Sequence, residues 1–191
     1  MRTTLILLLF TISFTMNAQD KTTPYYNIPE ASETYTAGSV VSRMIDGLGF
    51  RYRWATEGLR SEDLSFQPTK ESRTTEQTID HILGLTQVIL NSALHVDNGE
   101  PQPKMTFEQK RAKTLDNIQK ASAIFLKATD LSKFTMVFVR NGKRTVYPFW
   151  NQINGPISDA LWHVGQVVSH RRSSGNPFPK GVSVLQGKKF D

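Results

Sequence analysis

Four histidines, His81, His95, His163 and His170, and the absence of cysteine set the chemistry open to this chain. Thiolate nucleophiles and zinc–cysteine sites are excluded, so a bound metal must rest on imidazole and carboxylate groups. Asp159 and His163 are four residues apart. On a helix that spacing stacks two side chains on adjacent turns, where both reach one ion, and bundle cores bind metals with residues projecting from facing helices. His81, on a different segment, is the candidate third ligand. His170 faces the same way as His163 but lies about 10 Å further along a helix and stays outside the set. Three protein ligands leave a coordination position for water or a substrate group, and a metal that lowers the pKa of that water supports hydrolysis or group transfer. Spacing alone leaves a second reading open, in which Asp159, His163, Gln166 and His170 are the solvent row of an amphipathic helix. Asp159 has two further roles open to it: orienting His163, or capping the first turn of its helix.

Helices must position these groups. Val41, Met44, Ile45, Leu48, Tyr52, Ala55 and Leu59 recur at steps of three and four and predict a first helix over 38–59, followed by a loop over 60–73. The T-x-x-Q box from Thr74 to Gln77 starts a second helix, whose stripe of Ile79, Ile82, Leu83, Thr86, Ile89, Leu90 and Ala93 is widened by Leu85 and Val88. So wide an apolar arc implies two neighbouring helices, and His81, inside its edge, is expected to point inward. A second T-x-x-Q box, from Thr106 to Gln109, opens a third helix to about Thr129, with Leu115, Ile118, Ser122 and Phe125 on the inside. Asn141-Gly142 between two β-rich runs predicts a hairpin. Gly155-Pro156 is expected to start a fourth helix, with Ile157, Ala160, Leu161, Val164, Val167 and Val168 on its apolar face, and Gly175 and Pro177 to stop it. Trp162 and Gly165 lie off that face, which suggests that their side is also partly covered. Trp150, Tyr147 and Trp162 are expected to form an aromatic wall beside the site, with plain core packing as the alternative. The sum is an all-α four-helix bundle with a small β-hairpin inserted before the last helix.

The segment from Arg73 to Ile82, in which a histidine follows a capped helix start, resembles the second helix of the DinB-like superfamily of bacterial proteins. The segment from Asp159 to Val167, continuing to Arg172 and Gly175, is similar to that family's fourth-helix signature, a ligand shortly before His-x-Gly-Gln. The resemblance spans nearly the whole chain after the leader, in helix order. It implies a four-helix bundle holding a divalent metal, usually nickel or zinc, near one end through three histidines. His81 and His163 fall on two of those ligands, and Asp159 stands where the third histidine is usual. A carboxylate there suits zinc, manganese or iron. Characterised members of the family include thiol-dependent transferases. Two functions follow: a metal-dependent hydrolase or transferase acting on an unidentified small molecule, or a non-catalytic ligand-binding bundle whose metal is absent or structural.

Residues 1–18 read as a signal peptide: Arg2, an apolar run from Leu5 to Phe14, then Met16-Asn17-Ala18 with small residues for cleavage. The run is about half the roughly 20 residues a spanning helix needs, so an exported, periplasmic or secreted protein without a membrane span is expected. Residues 19–37 read as an arm, 38–177 as the bundle domain, and 178–191 as an irregular tail. The net charge of +6 is scattered along the chain, which argues against a nucleic-acid partner. A homodimer is compatible with this composition.

Overall fold

The computed structural model describes residues 23–99, 101 and 103–191. The leader expected over 1–18 and the first residues of the arm lie outside them. The chain is mostly helical, with helices α1 (Ala37–Thr56), α2 (Ser61–Ser65), α3 (Thr75–Leu94), α4 (Phe107–Phe125), α5 (Phe149–Gln152) and α6 (Ser158–Ser173). Between α4 and α5 a single 3-10 turn (Leu131–Lys133) leads into strands β1 (Met136–Arg140) and β2 (Lys143–Tyr147), and two short strands, β3 (Val182–Ser183) and β4 (Lys188–Lys189), follow α6.

Local chemistry fixes the helix starts. Thr74 and Gln77 exchange hydrogen bonds between side chain and backbone at 2.9 and 3.1 Å, and Thr106 and Gln109 do the same at the head of α4. Each box satisfies two of the donors that a helix N-terminus leaves unpaired. Thr36 and Ser39 form a third such box ahead of α1. Both α1 and α3 pack against α4 and against α6. Ile45, Leu48, Ile79, Ile82, Leu115, Ile118, Val164 and Val167 are buried at these contacts, each contributing about 1.5–3 kcal/mol by leaving water. The hairpin forms as expected: Arg140 pairs with Lys143, and Asn141 and Gly142, at φ 50° and 72°, make the two-residue turn that suits the twist of the strands.

Four expectations need correction. The segment over 60–73 is not all loop, because Ser61–Ser65 is helical. Buried Asp63 accepts hydrogen bonds there from the Arg60 backbone and guanidinium, from Ser174 and from Asn176, tying α2 to the end of α6. The third helix ends at Phe125, four residues short of Thr129. The last helical stretch begins at Phe149, before Gly155-Pro156, and Pro156 lies inside a π-helical turn, Ile153–Ile157. The wider turn tolerates a residue without an N–H, and Ser158 Oγ donates to the Ile153 carbonyl at 2.6 Å. The tail is ordered too. β3 pairs with β4, and this hairpin joins the arm through a 2.8 Å hydrogen bond from Ile28 N–H to the Gly187 carbonyl and a 2.9 Å bond from Lys189 N–H to Asn27 Oδ1. Gly187 is required at this contact: its φ is +65° and a Cβ would run into Ile28.

The arm packs on α1 near Tyr25, and residues 29–36 are exposed. Tyr25 is buried and donates to Asp46 Oδ1 at 2.9 Å, and buried Arg53 donates to the Thr23 carbonyl at 2.8 Å. Among the described residues no helix is long and apolar enough to cross a membrane.

Candidate metal centre

The contact between α3 and α6 brings the sequence-predicted ligands together. The capping box sets the register of α3 and puts His81 on its second turn, while Asp159 and His163 occupy successive turns of α6 just beyond the π turn. Nε2 of His81 lies 3.1 Å from Oδ2 of Asp159, and Nε2 of His163 lies 3.2 Å from Oδ1 of the same carboxylate. One ligand atom from each of the three residues falls within 4.8 Å of the others. The imidazole rings meet edge to face, with centroids 4.6 Å apart. His163 is buried, whereas the side chains of His81 and Asp159 are 32% and 39% exposed, so the group opens to solvent on one side. The inward placement expected of His81 is therefore only partly met.

Proton positions decide what the group can bind. Nδ1 of His163 lies 2.7 Å from Oε1 of Gln166, an acceptor, an arrangement that favours the tautomer with its proton on Nδ1. In the neutral ring Nε2 is then a bare lone pair facing a carboxylate oxygen. Two acceptors 3.2 Å apart need a proton or a cation between them. Ligand atoms bonded at about 2.0–2.2 Å to one ion sit about 3.0 Å apart at right angles and about 3.4 Å apart at tetrahedral angles; the two Asp159 contacts, made by its two different oxygens, fall in this range, and the set as a whole spreads up to 4.8 Å. Two imidazole nitrogens and a carboxylate suit zinc, manganese or iron, and nickel accepts imidazole as well. His81, Asp159 and His163 thus form a group that could hold a metal ion.

The other roles considered for Asp159 do not match its surroundings. The residue preceding α6 is already helical within the π turn, and no side chain caps this start. An orienting carboxylate would take Nδ1 of His163, but Gln166 occupies that nitrogen and Asp159 faces Nε2 instead. Asp80, beside His81 in sequence, is drawn away by Lys110, whose Nζ is 2.7 Å from its carboxylate.

The remaining histidines lie outside the group. Nδ1 of His170 is 3.2 Å from Thr75 Oγ1, and burial pushes its pKa down. His95 closes α3 in the left-handed conformation and stacks on Phe134. Trp150, Trp162 and Tyr147 are 75%, 72% and 41% exposed, and among described aromatic rings Tyr147 meets the edge of Phe138, so the three rings do not pack together as a wall. The core-packing alternative fails on the same exposures, and so does the idea that the Trp162 side of the helix is covered. Gln166 is the residue whose role the sequence row did not single out, although its i+3 spacing from His163 carries the signal.

Set against known protein families, curated proteins and solved structures, the chain matches none of them.

Proposed function

We propose that this chain is an exported, metal-dependent hydrolase or transferase built on a DinB-like four-helix bundle, with His81, Asp159 and His163 as the ligands of one divalent ion. The observation that carries the reading is the single carboxylate of Asp159 set between the Nε2 atoms of two histidines from different helices, one of them with its other nitrogen already occupied. When bound, such an ion supplies Lewis acidity at coordination positions that the three residues leave open. The protein's own part is positional. Gln166 fixes the tautomer of His163, the π turn and capping box set the two helices in register, and the exposed side of His81 and Asp159 admits a small molecule. Four long helices, α1, α3, α4 and α6, support the bundle assignment.

One observation favours the second reading, a non-catalytic binding module. Each Nε2 is also within hydrogen-bonding distance of an Asp159 oxygen, so two N–H···O bonds can join the same three side chains without a metal. Metal content of the purified protein, with His163→Ala alongside, separates the two. About one equivalent of a transition metal, lost in the variant, supports the shared metal site on which the enzyme depends; its absence from both after incubation with zinc, nickel, manganese and iron supports the metal-free module.

A further inference from the structure

The side of α6 facing away from the metal ligands carries a second feature. At about 100° per residue, Asp159, His163, Gln166 and His170 share one side of the helix, and Leu161, Val168 and Arg172 lie roughly half a turn from them. A cleft of about 420 Å³ opens there between α6, α1 and the folded-back tail, with Leu161, Val164, Val168 and Phe178 as apolar walls and Arg51 and Arg172 at the rim. No acidic residue lines it. Arg51 donates one N–H to the Gly47 carbonyl at 3.0 Å, and Arg172 makes no side-chain hydrogen bond or ion pair among the described residues. Gly165 also lines the cleft, and a Cβ built on it meets nothing within 4 Å, so the open space reaches down to the helix backbone.

An apolar trough with two guanidinium groups and no carboxylate to neutralise them is complementary to one kind of ligand: an anion with an apolar body. Guanidinium forks match the geometry of carboxylates, and the trough shelters a hydrocarbon chain from water. We propose that this cleft binds a free medium-chain monocarboxylate, its head held by Arg51 and Arg172 and its chain lying along Leu161, Val164 and Val168. Its geometry does not depend on the metal centre.

Titration calorimetry of the full chain with sodium decanoate tests this. Saturable binding at one site is expected, with acetate and decyltrimethylammonium, which keep the head or the chain alone, weaker by about tenfold or more. Arg172→Glu lowers decanoate affinity by about tenfold or more through loss of a charge-assisted contact. Gly165→Leu, whose Cβ meets no protein atom within 4 Å and whose longer side chain extends into the cleft, abolishes binding while its helical circular dichroism is retained; His163→Ala leaves binding unchanged. Equal binding of decyltrimethylammonium, indifference to Arg172→Glu, or loss of binding in His163→Ala would overturn the assignment. Should Gly165→Leu fail to fold, the exposed Arg172→Glu decides alone.

Discussion

Nδ1 of His163 and Oε1 of Gln166 face each other at 2.7 Å across one turn of α6. The amide acts on the proposed metal ligand from behind: it holds the proton on Nδ1 and leaves Nε2 free to coordinate. Gln166→Leu is therefore expected to weaken metal binding by about 10–100-fold, the usual effect of losing such an outer partner, whereas Gln166→Glu retains it because a carboxylate also accepts the Nδ1 proton. Competition against a chromophoric chelator measures this. Unchanged affinity in the leucine variant would remove Gln166 from the site.

Asp159 distinguishes a ligand from a mere neighbour. Asp159→Asn is expected to lose more than the roughly 100-fold that an outer partner accounts for, and Asp159→His to restore binding through a third imidazole. The same chelator competition, run on both variants, reads the difference. A loss in Asn of only a few fold would leave His81 and His163 as the sole strong ligands.

Asp63 anchors the far end of α6. Its fully buried carboxylate accepts hydrogen bonds from Arg60, Ser174 and Asn176, and the Arg60 guanidinium, foremost among them, holds its pKa well below the usual carboxylate range. Removing it as Asp63→Ala leaves several donors without a partner and is expected to lower stability by about 2–4 kcal/mol in urea unfolding at neutral pH. The folded pKa lies below the unfolded value of about 3.9, so this contribution is complete above roughly pH 4 and is lost as the pH falls through the folded value. Acid unfolding of Asp63→Asn should accordingly be shallower below pH 4 than that of the parent. Parallel acid curves would contradict the linkage.

His170 acts in a different window. Burial lowers its folded pKa beneath the unfolded value of about 6.5, so the unfolded chain takes up the proton first as the medium is acidified. Stability from the neutral ring is present above about pH 6.5 and declines as the pH falls through the folded pKa. His170→Asn should show a smaller drop in Tm between pH 7 and pH 5 than the parent. The difference between the two curves isolates His170 from the other histidines, and a zero difference would exclude this effect.

How much of this was legible in the chain depends on the range of the interaction. Both T-x-x-Q boxes, the Asn141-Gly142 turn and the apolar stripes were legible because each is decided within a few residues. The start of the last helical stretch was not, since nothing caps Phe149 by side chain and Pro156 reads as a first-turn proline unless a π turn is there to absorb it. Likewise, the tail looked irregular because the groups that order it, Asn27 and Ile28, stand some 160 positions away. For the site, helical spacing paired Asp159 with His163, and the inward stripe directed His81 toward them. That Asp159 faces one histidine with each oxygen depends on the relative height of two helices, which no local pattern encodes.

The contact between the arm and the tail hairpin also bears on the order of folding. Lys189 and Asn27 are 162 residues apart, so their union must await nearly the whole chain and bears a loop-closure entropy that grows with that span. Helices α1, α3 and α4 can associate through closer contacts, and Tyr25 can reach Asp46 on α1 before the segment around Gly187 joins Asn27 and Ile28. Closing the arm against the tail is thus a non-local step, of the kind that slows folding.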